Sequence, residues 1–252
     1  MFDALFTTTT EYKKLSHALS GKGACALFGL PASGRAQVYA ALCRQLDKPL
    51  CIVTPGEAEA TRFAADLNTL GIPAAVFPAR DYVLRSIEGT AREYEYRRLA
   101  VLGELVGGRL RAVAVPAEAL TQFTTPKEDF CANTRTLHAG DTLLRDDLLA
   151  ALFGAGYTRR AQVDGPGQFS VRGDIVDIFA PDQKMPVRME FWGDEIDTLH
   201  TFDLTTQRRE DAIDKFYLSP AREVLFGKPA DAAEQLRAFL AKQRGKKKTA
   251  MA

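Results

Sequence analysis

The chain has 252 residues, of which 46% are hydrophobic and 26% are charged, a composition typical of globular proteins with one large or two small domains. Its 33 basic and 32 acidic residues leave a formal net charge of +1. This balance excludes nucleic-acid affinity driven by a broad excess of positive charge, and the composition excludes disorder of the whole chain.

The cysteines and the apolar segments bear on compartment and cofactors. Four cysteines are scattered along the chain without a Cys-x-x-Cys pair, which indicates neither a zinc site nor a disulfide framework. No apolar run reaches the roughly eighteen residues of a membrane span, and the first ten residues lack a signal-peptide pattern. We therefore expect a soluble, cytoplasmic protein with no metal and no membrane partner.

The first half of the chain has the pattern of a parallel α/β sheet. Short apolar runs alternate with segments of helical period, which is typical of strands covered by helices on both faces. The predicted strands are residues 25–28, 50–53, 75–77 and 112–115, and the predicted helices are residues 35–46, 57–70 and 91–106.

The turn after the first predicted strand has the glycine spacing of a phosphate-binding P-loop, with Gly29 and Gly34 at the two fixed positions. A working loop continues with Lys for the phosphates and Ser or Thr for magnesium, whereas this chain has Arg35 and Ala36. We interpret the turn as a degenerate phosphate loop that holds no nucleotide. The alternative is a nucleotide-dependent, DNA-acting ATPase or helicase-like enzyme that uses residues 29–36.

The pattern changes after Pro126, where we place a domain boundary. A helix is predicted to begin at Asp141 or Thr142 and to end near Phe153, and several strands then follow without helices between them. This succession predicts an α+β module with an antiparallel sheet. The predicted strands are residues 157–163, 169–179, 187–192, 196–202 and 216–218, followed by a helix over 230–240 and a basic tail over 242–248.

Four sequence blocks in the second half carry a family resemblance. They are GYTRR at 156–160, GQFSVRGDIVDIF at 167–179, RMEFWGDEID at 188–197 and the run from Phe202 to Arg208. In this order they resemble the UvrA-interaction domain shared by UvrB proteins and bacterial transcription-repair coupling factors. The degenerate loop separates the chain from UvrB, whose P-loop is intact, so the chain is most similar to the amino-terminal part of the coupling factors.

The resemblance implies a fold and a domain organisation. Residues 1–125 would form a degenerate RecA-like domain with a parallel sheet, and residues 126–215 an inserted α+β, antiparallel-sheet domain that interacts with UvrA. Residues 216–252 would return to the first domain as a truncated segment with a flexible basic tail. Because coupling factors are much longer, the chain is expected to be a fragment.

The resemblance also implies a function. The chain would be a protein–protein adaptor that recruits UvrA to stalled transcription complexes in transcription-coupled nucleotide excision repair. RNA polymerase and DNA would be bound only by parts that the chain lacks, and ATP and magnesium would belong to the motor domains of the full-length family. We therefore expect neither an enzyme nor a cofactor in this chain, and a UvrA surface that the rest of a full-length factor would cover until needed.

Candidate UvrA-binding residues come from the resemblance and from strand alternation. The resemblance implies that Arg159 and Arg172 contact UvrA, and it places Ser170 where the family has a further arginine. Alternation puts Arg172 on one polar strand face with two other charged residues, a face that we expect Arg159 to join. The predicted binding set is Arg159, Arg172, Arg188, Glu190 and Trp192.

Alternatives stay open for several of these residues. Arg188 is equally compatible with an intramolecular salt-bridge lattice, and Trp192 with packing on the sheet edge. The acidic residues 194, 195 and 197 indicate a turn more readily than a metal site. A further hypothesis is direct DNA binding through a helical basic face combined with the basic tail. That face would consist of Arg92, Arg97 and Arg98.

Overall fold

A computed structural model describes residues 7–21, 24–46, 48–80 and 90–225, together with Arg237 and Leu240. The chain divides into two compact units, Met1–Phe123 and Thr124–Ala252. This division falls two residues before the expected boundary at 125. The predicted helix over 230–240, apart from Arg237 and Leu240, and the basic tail over 242–248 lie outside the described residues.

The first unit is a parallel α/β unit. Its strands pair in the order β1-β3-β2, with both neighbours of β3 parallel to it. The described strands are β1 (Leu50–Thr54), β2 (Ala74–Val76) and β3 (Ala112–Pro116). The described helices are α1 (Thr10–Ser20), α2 (Ala32–Gln45), α3 (Glu57–Thr69), α4 (Thr90–Val106) and α5 (Ala117–Leu120).

The core of this unit lies between the sheet and its helices. Every residue of β3 is buried, as expected for the central strand of a sheet with parallel neighbours. Helix α3 contributes one apolar face, in which Phe63 and Leu67 pack with Ile52 of β1. The unbroken apolar runs in the sequence therefore predicted a parallel sheet correctly.

The predicted strand over 25–28 was wrong. These residues belong to no described strand, and Leu27 and Phe28 are 47% and 88% exposed. An apolar run forms a strand only where a neighbouring strand supplies backbone hydrogen bonds, and no described strand pairs with this segment. The residues after it form a helix as expected, although α2 begins at Ala32 and not at Arg35.

The second unit contains a six-stranded sheet in the order β10-β9-β8-β7-β6-β5, in which only β5 runs parallel to its neighbour. A separate antiparallel pair joins β11 to β4. The six strands are β5 (Thr158–Arg159), β6 (Gln168–Arg172), β7 (Ile175–Phe179), β8 (Val187–Trp192), β9 (Glu195–Phe202) and β10 (Arg209–Ala212). The others are β4 (Arg135–His138), β11 (Lys215–Leu218), α6 (Lys127–Ala132) and α7 (Arg145–Gly154).

One face of the six-stranded sheet forms the core of this unit. Leu148 and Leu152 of α7 are fully buried in a cluster with Phe169 of β6 and Met189 of β8. Phe153 meets the Phe169 ring edge-on, with 5.2 Å between ring centroids. The opposite face, here called the outer face, carries the alternate positions of the same strands.

Several predicted boundaries differ in the second unit. The predicted strand over 169–179 is the hairpin β6–β7, because Gly173 at φ +61° reverses the chain. The strand predicted over 157–163 is reduced to Thr158–Arg159. Residues 215–218 pair with β4 inside the second unit, whereas the segment from 216 onward was assigned to the first domain. This segment pairs with β4, and the sequence analysis predicts no strand at the position of β4.

Candidate functional site

A row of polar residues crosses the outer face of the sheet. The register places Ser170 of β6 opposite Asp177 of β7, Asp177 opposite Arg188 of β8, and Arg188 opposite His200 of β9. Ser170, Asp177 and Arg188 are all buried, at 1%, 1% and 8% exposure. Buried charges of this kind require direct partners, and the two central residues of the row pair with each other.

Asp177 is the centre of this arrangement because two arginines share its carboxylate. Arg188 donates Nε to Oδ1 at 2.7 Å and Nη2 to Oδ2 at 2.9 Å, which is a bidentate ion pair. Arg172 donates Nη2 to Oδ2 at 2.6 Å. Hydrogen bonding to Asp177 raises the pKa of Arg188 above its usual value, and burial opposes this effect.

Arg188 also anchors the loop between β9 and β10. Its Nη1 donates to the carbonyl oxygen of Gln207 at 3.2 Å, and its guanidinium lies 4.7 Å from the Phe202 ring centroid. Gln207 has a φ of 59° in the left-handed region, and Arg188 contacts the loop at this point. Arg188 therefore belongs to an intramolecular lattice, one of the two arrangements predicted for it, and its guanidinium is covered.

The loop itself is closed by a carboxylate. Asp203 accepts hydrogen bonds from the backbone N–H groups of Thr205 and Thr206, at 3.1 and 2.7 Å. These bonds, led by that from Thr206, lower the pKa of Asp203 below its usual value. The loop from 203 to 208 is thus held by its own aspartate and by Arg188.

The end of the outer face near the β6–β7 turn is open. Arg172 keeps 47% of its side chain exposed despite its bond to Asp177, and Trp192 is 83% exposed. Glu190 lies between them on β8, where it pairs with Arg209 and accepts from the Thr198 hydroxyl at 3.4 Å. We call this the open patch, defined as Arg172, Glu190 and Trp192. Trp192 does not pack on the sheet edge, which was the alternative for this residue.

Arg159 does not join the open patch. It is exposed on β5, but the register places it beside Phe169, whose side chain lies in the core cluster. Neighbours in register point to the same side of a sheet, so Arg159 lies on the side opposite Arg172. By the same alternation Arg160, also exposed, lies on the side of Ser170 and Arg172. The expectation that Arg159 shares the polar face was wrong. The pairing register between β5 and its parallel neighbour β6 cannot be deduced from the alternation of residues within one strand.

Asp177 was missed by the sequence analysis although the sequence contains a signal for it. It stands between Val176 and Ile178 in a strand that is otherwise apolar. An aspartate in such a setting is rarely buried unless a cation pairs with it. Arg188, at the start of the block at 188–197, is a possible partner in the sequence. The two ends of the row differ from its centre, since Ser170 Oγ and His200 Nδ1 are buried without a hydrogen-bond partner among the described residues.

The loop over residues 29–36 lies in the first unit. Gly29 has a φ of +83°, and a Cβ on Gly34 would lie 3.3 Å from the Pro31 ring. Arg35 directs its side chain toward Glu59 of α3, with 3.9 Å between Nη1 and Oε1. Ala36 is 3% exposed. The side chains at the lysine and magnesium-ligand positions thus contact a neighbouring helix and the core.

The hypothetical basic face on α4 is not continuous. Arg98 is fully buried, with its guanidinium 4.0 Å from the Phe77 ring centroid and Nη1 donating to the Pro78 carbonyl at 2.7 Å. Arg97 lies 3.7 Å from Glu57 of α3. Of the proposed trio only Arg92 is exposed without a described acidic neighbour, so this helix does not present a three-arginine surface to DNA.

The described residues contain no group of three or more histidine, cysteine, aspartate or glutamate side chains placed to hold a metal ion. Within the same part of the chain, no helix is both long and apolar enough to cross a bilayer.

Comparison with known families identifies the class of the second unit. A family model described as the UvrB interaction domain matches residues 136–224, which extend from β4 past β11 and include the whole six-stranded sheet. The second unit is therefore a UvrB interaction domain, and the match is confined to it.

Relatives extend the similarity to most of the chain. A transcription-repair-coupling factor of Myxococcus xanthus is 35% identical over 78% of this chain, and one of Mycobacterium tuberculosis is 36% identical over 73% of it. That of Bacillus subtilis is 28% identical over 79% of the chain. The chain spans only 15–17% of the length of these relatives. It corresponds to the UvrB-like, amino-terminal region of transcription-repair-coupling factors.

Proposed function

We propose that this chain is a protein-binding adaptor that binds UvrA through its second unit and so brings excision repair to stalled transcription complexes. The observation that carries the proposal is the UvrB interaction domain match over 136–224, which contains the open patch. RNA polymerase and DNA would be bound by parts of the longer relatives that lie outside this chain. The adaptor would act in the cytoplasm.

Arg172 and Trp192 are the proposed contacts of the open patch. Arg172 uses one N–H group on Asp177, and its planar guanidinium has further donors for a carboxylate of UvrA. Trp192 offers a large exposed aromatic surface, and tryptophan is enriched among the residues that dominate binding energy. Glu190 would hold Arg209 at the edge of the contact, and Arg188 would act by stabilising the sheet.

We further propose that the first unit is a RecA-like domain with a degenerate phosphate loop. Its support is the position of Arg35 beside Glu59 and the burial of Ala36, which leave neither a phosphate-binding lysine nor a magnesium ligand. The chain would then bind neither ATP nor magnesium at residues 29–36 and would catalyse no reaction.

Calorimetric titration with purified UvrA tests the adaptor role. We expect saturable binding that weakens about tenfold or more in Arg172→Ala and in Trp192→Ala, because each removes a charge-assisted hydrogen bond or an aromatic anchor. Arg62→Ala is the matched control, since Arg62 is an exposed arginine of the first unit. Absence of binding by the folded wild-type chain, or an equal loss in the control, would refute the proposal.

A further inference from the structure

A cavity of about 480 Å³ lies in the first unit, between α1 and α2. Its lining on α1 includes Tyr12, Lys13, Ser16 and His17, and α2 contributes Arg44 and Gln45. None of these residues belongs to the loop over 29–36 or to the second unit.

The helical repeat explains why these side chains meet. Tyr12 and Ser16 are four residues apart and are the buried residues of α1, so they form the base of the cavity. Lys13 and His17 have the same spacing one position further on and are exposed at its rim. The Tyr12 hydroxyl donates to Gln45 Oε1 at 3.0 Å, which ties the two helices together at one side of the cavity.

The lining has a definite charge character. Lys13 and Arg44 give the lining two cationic side chains, His17 adds an imidazole, and no aspartate or glutamate occurs among the described residues that line it. Arg44 also donates Nη2 to the carbonyl oxygen of Leu70 at 2.6 Å. Clustered cations in a concave surface attract anions more strongly than the same groups spread over a flat one. The Ser16 hydroxyl adds a neutral hydrogen-bond donor, whereas the Ser20 hydroxyl already donates to the Ser16 carbonyl oxygen at 2.8 Å.

The volume restricts the class of ligand. Small-molecule sites are typically concavities of about 300–1,000 Å³, and this cavity falls within that range. Lysine and arginine are the usual side chains for phosphate groups, which accept hydrogen bonds and carry the complementary charge. We infer that the cavity between α1 and α2 binds a small phosphorylated ligand. This inference is independent of the proposed UvrA role.

Calorimetry with ADP and with inorganic phosphate, both in the presence of EDTA, tests the site. We expect saturable binding of ADP or phosphate that weakens about tenfold in Lys13→Ala and in His17→Ala, the scale of one lost charge-assisted hydrogen bond. Lys14→Ala is the matched control, because it removes the same charge from the same helix at an exposed position outside the lining. The control is expected to stay within about twofold of wild type.

A short single-stranded oligonucleotide forms the third arm of the experiment. Binding of the oligonucleotide that depends on Lys13, without binding of ADP or phosphate, would overturn the inference in favour of a nucleic-acid surface. Absence of binding in all arms by a folded chain would overturn it as well, as would equal losses in the Lys13 and Lys14 variants. Unchanged hydrogen-exchange protection of the α2 and β1 amides in Lys13→Ala would show that the first unit of the variant is folded, without reference to UvrA.

Discussion

The strongest prediction concerns the carboxylate of Asp177. Substitution Asp177→Asn keeps the size of the side chain and removes its charge. Arg188, 8% exposed and bonded to both carboxylate oxygens, would then be a buried cation facing a neutral amide. The amide also presents one N–H₂ group to a guanidinium that has only donors, so one of the two bonds from Arg188 is replaced by a repulsive contact.

The expected magnitude follows from this geometry. Removal of one partner of a buried ion pair typically costs about 3–5 kcal/mol, because the remaining charge stays desolvated. The exposed pair Arg145–Asp174 in the same unit provides the comparison, with 3.2 Å between its atoms and 78% exposure of the Asp174 side chain. Exposed pairs contribute about 0–1 kcal/mol, so Asp174→Asn should have little effect.

Hydrogen exchange measured by mass spectrometry distinguishes these outcomes. Protection of the amides of β7 and β8 reports the opening free energy of the second unit alone, without a contribution from the first unit. We expect Asp177→Asn to lower this free energy by several times the change in Asp174→Asn. Equal and small changes in both variants would refute the conclusion that Asp177 and Arg188 form a buried pair that the sheet depends on.

Three further predictions concern other residues. Because Arg159 and Arg172 lie on opposite sides of the sheet, a double-mutant cycle on UvrA affinity should give a coupling within about 0.5 kcal/mol by calorimetry, and a larger coupling would contradict the register. Ala36→Thr should lower thermal stability by about 1–3 kcal/mol, since Ala36 is buried, and should give no magnesium-dependent ATP binding in a filter assay. Because the pKa of Asp203 is lowered in the folded chain, its contribution to loop order is present above the unfolded pKa and is lost as pH falls through the folded pKa. The NMR signal of the Thr206 amide should therefore shift at acidic pH. A signal that stays constant to strongly acidic pH would contradict this.

In the first unit, sequence patterns predicted which segments form helices and strands better than they predicted which strands pair with each other. The apolar run that became β3 is buried throughout, as expected for a run without alternation. The run that became β1 is buried on one face only, with Cys51 and Val53 exposed, so cover on both faces was predicted wrongly for this strand. The run over 25–28 is also wholly apolar, yet it forms no strand among the described residues. Composition reports how much apolar surface a segment has, whereas strand formation depends on a neighbour that is distant in sequence.

The candidate site, like the first unit, was predicted only in part from the sequence. Alternation correctly placed Arg172 and Glu190 on one face, because side chains in a strand alternate with period two. It failed for Arg159, since the register between β5 and β6 is set by tertiary pairing. Burial of Arg188 also required the structure, because the loop that it anchors joins β9 to β10 and lies about twenty residues further along the chain.

The shared carboxylate links the stability of the sheet to the availability of Arg172. If Arg172 turned toward a carboxylate of UvrA, Asp177 would lose one hydrogen bond but would keep both bonds from Arg188. The buried charge would therefore remain compensated while Arg172, already 47% exposed, exchanged one acceptor for another. If Arg172 contacts UvrA as proposed, Arg188 would lower the cost of presenting it without contacting UvrA itself. A recognition arginine held on a carboxylate that is already neutralised is oriented before binding and can still be released on binding.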